Sequence, residues 1–108
     1  MIDAIAFIWS VTKHSTRVEY MADRRSRDAV ALNLLVLGEG ARSLSAETRA
    51  MAPDVQWPVL TSIRNRIAHE YRSFDHSIAW SIATERLPGL QERLTLLLEQ
   101  INPADPSL

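Results

Sequence analysis

Apolar residues recur at three- and four-residue spacing along most of this 108-residue chain, the period of an amphipathic α-helix. Ile2, Ile5, Ala6, Ile8 and Trp9 begin the pattern, so the chain opens inside a helix. Residues 10–26 turn polar and charged, with Lys13, Arg17, Arg24 and Arg25. They predict a helix end, a loop and a short helix around Val18 to Ala22. Ser26 reads as the N-cap of the next helix, with Asp28 in its first turn. That helix runs from Ala29 to about Leu44. Val30, Leu34, Leu37 and Ala41 mark its core stripe, and Leu32, Leu35 and Val36 widen it. A helix apolar over so much of its circumference is central or faces a second subunit. Gly38 and Gly40 weaken it as a helix, and close approach of another helix is a reason to keep them.

Further along, Ser45 caps a short turn over Ala46 to Ala50, and Pro53 and Pro58 bracket a loop around Trp57. A helix follows from Val59 to about Tyr71, ending near Ser73-Phe74. Asp75 is the next N-cap, ahead of Ile78, Ala79 and Ile82. Leu87-Pro88 breaks that helix, and Pro88 suits the first turn of the one after it. Leu90, Leu94, Leu97, Leu98 and Ile101 complete an amphipathic last helix. Pro103 and Pro106 predict a frayed tail over 102–108, beyond a single domain of residues 1–101. The expected class is all-α, an up-and-down bundle of about four to five helices.

Composition narrows the function. Cysteine is absent, which excludes a disulfide framework, a thiolate zinc site and a cysteine nucleophile. Three glycines leave no Gly-rich phosphate loop, so no nucleotide cofactor is expected. His14 and His76 have no second ligand at metal spacing, so no metal is expected and both read as exposed polar positions. No apolar run approaches the roughly 18–20 residues of a membrane span, and no basic signal-like segment opens the chain. A cytoplasmic protein without membrane contact is the expectation. Net charge is −1, so a nucleic-acid coat basic over its whole surface is excluded. Among the basic residues, one is lysine and eleven are arginine. Arginine grips phosphate bidentately, although a GC-rich coding bias gives the same imbalance.

One stretch stands apart chemically: Ile63-Arg64-Asn65-Arg66-Ile67-Ala68-His69-Glu70-Tyr71. Asn65 and His69 are four apart and share a helix face. Arg64 and Tyr71 are seven apart and share another, roughly 10 Å along the axis. Arg64 and His69 lie about 140° apart on an ideal helix. A reaching rotamer, or a second copy of the helix, is needed to bring them together. Histidine moves protons near neutral pH, and arginine stabilises charge on a five-coordinate phosphorus. RNA carries its own 2′-hydroxyl nucleophile, so the set suits metal-free phosphodiester cleavage. Acid and base catalysis want two histidines, which a two-fold homodimer supplies. In the plain structural alternative, Arg64 and Arg66 are solvated charges pairing with Glu70, and His69 interacts with the helix dipole.

The segment Arg64-Asn65-x-x-x-His69-x-Tyr71 resembles the signature of HEPN-domain toxins of the HepT type, partners of MNT-type nucleotidyltransferase antitoxins. Asp28-Ala29-Val30, Asn33-Leu34 and Leu37-Gly38-Glu39 resemble the family's second long helix. Trp57, Asp75, Trp80, Leu87-Pro88 and Leu90 match later landmarks, so the likeness spans roughly Ile2 to Leu98. It implies a homodimeric helical bundle that cuts RNA without metal in the dimer cleft. Arg64 and His69 would be the catalytic pair, and Asn65 would orient them or the phosphate. Tyr71 would be the position that the antitoxin modifies with AMP, placing a bulky anion in the cleft. Simple packing of the Tyr71 ring is the competing role. A non-catalytic interaction or nucleotide-binding module partnering a nucleotidyltransferase is the alternative to the enzyme. The chain begins later than is usual in the family, so its first helix reads as short. Gly40 stands where alanine is common.

Other residues fit a structural part. The cluster Arg24-Arg25-x-Arg27 extends an RNA-binding rim or, set between Asp23 and Asp28, forms an ordinary solvated helix start. Trp9, Trp57 and Trp80 read as core or dimer-interface anchors. Asn33 is a polar residue in an apolar run and is expected to hydrogen-bond across a helix pair or to its twin in a second copy. Glu39 is placed to pair with an arginine near the site.

Overall fold

The computed structural model describes residues 1–101 and 103–108. Four rods make the bundle: α1 (Ile2–Thr12), α3 (Arg24–Ser43), α5 (Trp57–Glu70), and a composite of α6 (His76–Ser81) and α7 (Leu87–Gln100). Short helices α2 (Arg17–Ala22) and α4 (Ala46–Ala50) fill the connections. Among the described residues there is no strand, and no helix is long and apolar enough to cross a membrane.

The central rod is α3, packed chiefly on α5 and α1. Val30, Leu34, Leu37 and Ala41 are all buried, as their spacing predicts. The same helix shows its other face to solvent: Leu32 is 60% exposed and Val36 is 44% exposed. The broad apolar circumference therefore has two outcomes, one face in the core and one uncovered. Ile5 and Ile8 from α1 and Leu87, Leu94 and Leu97 from α7 close the core. Tyr20, fully buried, packs its ring on Trp80 with centroids 5.2 Å apart. Trp57 is half-buried, and its indole N–H donates to the carbonyls of Arg49 and Ala52 at 3.2 and 3.1 Å. Trp9 remains 51% exposed.

Helix starts follow local side-chain chemistry. Thr16 and Glu19 form a reciprocal capping box on α2. Ser45 caps α4 by accepting from the Thr48 N–H, and Asp75 caps α6 by accepting from the Ser77 N–H. The N-cap of α3 is Asp23 rather than Ser26, and the helix starts five residues earlier than the apolar pattern suggests. Asp23 accepts from the Arg25 N–H and also receives the Ser26 hydroxyl. Ser26 thus supports the cap from inside the first turn, where charged residues conceal the helical period.

Leu87-Pro88 breaks nothing. A π-helical turn, Ile82–Arg86, carries α6 directly into α7. Leu87 donates its N–H five residues back to Ile82, and Pro88 sits in the first turn of α7. The wider turn accommodates a residue that lacks an N–H. At the far end, Met1 and Ile2 donate to the carbonyls of Ser107 and Leu108 at 2.9 and 2.7 Å. Leu108 is buried, so the end of the segment expected to fray has specific contacts. Asn102, the first residue of that segment, lies outside the described residues.

Candidate functional site

The packing of α5 on α3 is what positions the motif. A Cβ on Gly38 would collide with the Cβ of Arg64 and come within 2.7 Å of the Leu60 carbonyl oxygen. Glycine here lets α5 approach closely, as its place in the helix predicts. Gly40 serves a different contact, with Met1 and the carbonyl of Ser107.

Arg64 comes down beside Glu39 and donates to it through Nε. Its Nη1 also donates to Asn65 Oδ1 at 3.0 Å. The Arg64 side chain is 21% exposed and that of Glu39 is 41% exposed. The guanidinium is therefore fixed at a half-open position. Glu70, the partner in the plain alternative, is not the one Arg64 takes, whereas the expected pairing of Glu39 with a nearby arginine is present.

Asn65, Arg66 and His69 are exposed on α5. Asn65 lines an open hollow of about 660 Å³ with Arg49 and Trp57. His69 lies in the last turn of α5. The Arg64 hydrogen bonds go to Glu39 and Asn65, not to His69. Within one chain the motif therefore supplies a held arginine and an accessible histidine without joining them.

Tyr71 lies just past α5, in a 3₁₀ turn over Tyr71–Ser73. It is 40% exposed, and its hydroxyl donates to Asp28 of α3. That bond, with help from Arg24, holds the Asp28 carboxyl below the usual carboxylate range. Burial and then Asp28 push the Tyr71 phenol up. The His76 ring meets Tyr71 edge-on, with centroids 5.8 Å apart, and meets Phe74 at 5.4 Å. Burial and the Arg27 charge lower the pKa of His76, against opposing pulls from Asp28 and Asp75. Its Nδ1 is buried without a partner among the described residues.

Two of these features escape the sequence pattern. Asp28 reads as a helix-start charge, yet it is the acceptor for Tyr71. His76 reads as exposed, yet it is half-buried against that tyrosine. The available signal was the spacing of Asp28 and Glu39, eleven residues and about three turns apart on one face of α3. The Asn33 amide donates to the Ala29 carbonyl of its own helix at 2.8 Å, not to a neighbouring helix of the same chain.

A family model described as ribonuclease HepT-like matches residues 1–97, nearly the whole bundle and all of the motif. The chain belongs to the HepT-like ribonuclease family. It is similar to a protein of Thermococcus cleftensis named probable ribonuclease HepT, at 22% identity over 95 residues. That match spans 88% of this chain and 86% of the relative. A protein of Methanocaldococcus jannaschii, named as an RNase by inference, is 24% identical over 94 residues, 87% of this chain and 78% of its own. No solved structure matches the chain significantly. The relatives' names are those of ribonucleases, and in this HepT-like chain Asn65, His69 and Tyr71 are all exposed.

Proposed function

We propose that this chain is a metal-independent endoribonuclease whose complete site forms where two copies meet. We further propose that it is the toxin of a pair neutralised in the cytoplasm by an MNT-type nucleotidyltransferase through AMPylation of Tyr71. One observation carries the reading: α5 presents an exposed His69 and, five residues before it, an arginine held in place by Glu39 and Asn65, in a chain of the HepT-like family.

In the reaction, the His69 imidazole takes the proton of an RNA 2′-hydroxyl. The 2′ oxygen attacks the adjacent phosphorus, and the 5′ oxygen leaves with a proton from the second copy's histidine. The products are a 2′,3′-cyclic phosphate and a 5′-hydroxyl. Arg64 stabilises the charge on the five-coordinate phosphorus. Glu39 and Asn65 engage Nε and Nη1, which leaves Nη2 for a phosphate oxygen. Dimerisation draws support from the uncovered Leu32 and Val36, which lie on α3 between Asp28 and Glu39. Exposed apolar surface beside a functional site marks a contact with another chain.

The test uses purified, partner-free protein with total RNA and tRNA in EDTA, beside Arg64→Ala and His69→Ala. Wild type should cut while both variants, still folded, do not. Leu32→Glu combined with Val36→Glu should sediment as a monomer and lose cleavage. A folded, unmodified wild-type dimer that leaves RNA intact overturns the nuclease and leaves the interaction module.

A further inference from the structure

We propose that Asp28 is the residue that prepares Tyr71 for modification: it orients the phenol and accepts its proton as the oxygen attacks an electrophile. The proposal rests on the reading of Tyr71 as a nucleotidylation site. It starts from a contact between residues 43 apart in the chain, with the phenol donating to the Asp28 carboxylate. The tyrosine is 40% exposed and the aspartate side chain 44% exposed, so an incoming reagent reaches both.

The surroundings suit the chemistry. His76, edge-on to Tyr71, fixes the plane of the ring. The charged and titratable groups facing the pair are Arg24 and Arg27 on α3, Tyr20 on α2, and His76 at the start of α6, with Asp75 acting on His76. Arg24 Nε donates to Asp28 Oδ2 at 3.3 Å, leaving Oδ1 for the phenol. The carboxylate is ionised at neutral pH, because the Tyr71 and Arg24 hydrogen bonds lower its pKa. The phenol keeps its proton there, because burial and Asp28 raise its pKa. A neutral phenol is a weak nucleophile unless a base takes the proton during attack.

With a nucleoside triphosphate as co-reactant, the step balances. Tyr71 Oη forms a bond to the α-phosphorus, the bond from that phosphorus to the bridging oxygen breaks, and pyrophosphate leaves with the electron pair. The phenolic proton passes to Asp28 Oδ1. Asp28 passes that proton on to water and returns to the carboxylate, and Arg24 and Arg27 face the new phosphodiester anion.

The experiment has two arms. In the first, benzenesulfonyl fluoride labels tyrosine with loss of fluoride, and the rate at Tyr71 is read by peptide mass spectrometry as a function of pH, with Tyr71→Phe as the blank. Near neutral pH, Asp28→Asn should be about a hundredfold slower than wild type, and Asp28→Glu should recover part of the rate. Above the phenol's own pKa the Asp28→Asn variant should equal or exceed wild type, because a pre-formed phenolate needs no base. Equal rates near neutrality, or the same loss at both ends of the pH range, overturn the role of Asp28. The second arm supplies an MNT-type nucleotidyltransferase, magnesium and α-labelled ATP. Label on wild-type Tyr71 with slow labelling of Asp28→Asn is expected. Equal labelling of both overturns Asp28 alone, whereas an unlabelled wild type overturns Tyr71 as the modified residue and leaves the sulfonyl profile to decide the role of Asp28.

Discussion

Replacing Gly38 with alanine tests the idea that a missing side chain sets the position of Arg64. Two opposing terms decide the sign. Alanine is a better helix former than glycine by about 1 kcal/mol in a helix interior, and Gly38 is interior to α3. The added methyl, however, meets the Arg64 Cβ and lies 2.7 Å from the Leu60 carbonyl oxygen. Neither obstacle is the far end of a flexible chain, so α5 itself must retreat by roughly 1–2 Å to restore carbon contacts of about 3.5–4.0 Å. Overpacking of this kind costs about 1–3 kcal/mol, and rigid obstacles place it toward the upper end. The net loss is then about 1–2 kcal/mol, a melting temperature lower by roughly 5–15 °C at about 4–8 °C per kcal/mol. Gly89→Ala is the internal control: nothing stands within 4 Å of its added Cβ, and it lies in α7. It should stabilise by up to about 1 kcal/mol. Calorimetry on both variants reads the contrast, and RNA cleavage by Gly38→Ala should fall about a hundredfold as Arg64 is carried out of place. If Gly38→Ala melts at or above wild type, the tight contact is not what holds α5.

Two further outcomes follow from other contacts. Glu39→Gln should change stability by less than about 1 kcal/mol, because the pair with Arg64 is part-exposed. It should nonetheless reduce kcat for RNA cleavage more than it raises KM, and an unchanged kcat would remove Glu39 from the positioning of Arg64. The lowered pKa of His76 means that the native state favours the neutral ring, while the unfolded chain protonates first. The stabilisation is present above the ordinary histidine value of about 6.5 and is lost as pH falls through that value toward the lower native one. Melting temperatures taken from neutral pH down to about pH 5 should decline, and His76→Gln should flatten the decline. A slope indifferent to His76 contradicts the assignment.

The rods were legible because their core residues keep a strict helical period, as Val30, Leu34, Leu37 and Ala41 do. The motif residues were legible as a chemical set because histidine, arginine, asparagine and tyrosine crowd two turns of one helix. What periodicity does not carry is pairing across helices. Asp28 sits among arginines whose obvious partners are local, so nothing in its neighbourhood points to Tyr71, 43 residues on. Proline misled at position 88 because a π turn offers the chain a way past it without leaving the helix. Arg24, Arg25 and Arg27 hid the start of α3, since a first turn is held by its cap rather than by core contacts.

Two motif residues lean on α3, Arg64 on Glu39 and Tyr71 on Asp28. Selection on the motif is therefore not confined to the motif. A lineage that lost the tyrosine would lose the reason to retain an acid at position 28, while the acid at 39 would persist for as long as an arginine remained at 64. Substitutions should accordingly travel in two pairs that drift independently of one another, with glycine at 38 inherited alongside the pair at 39 and 64.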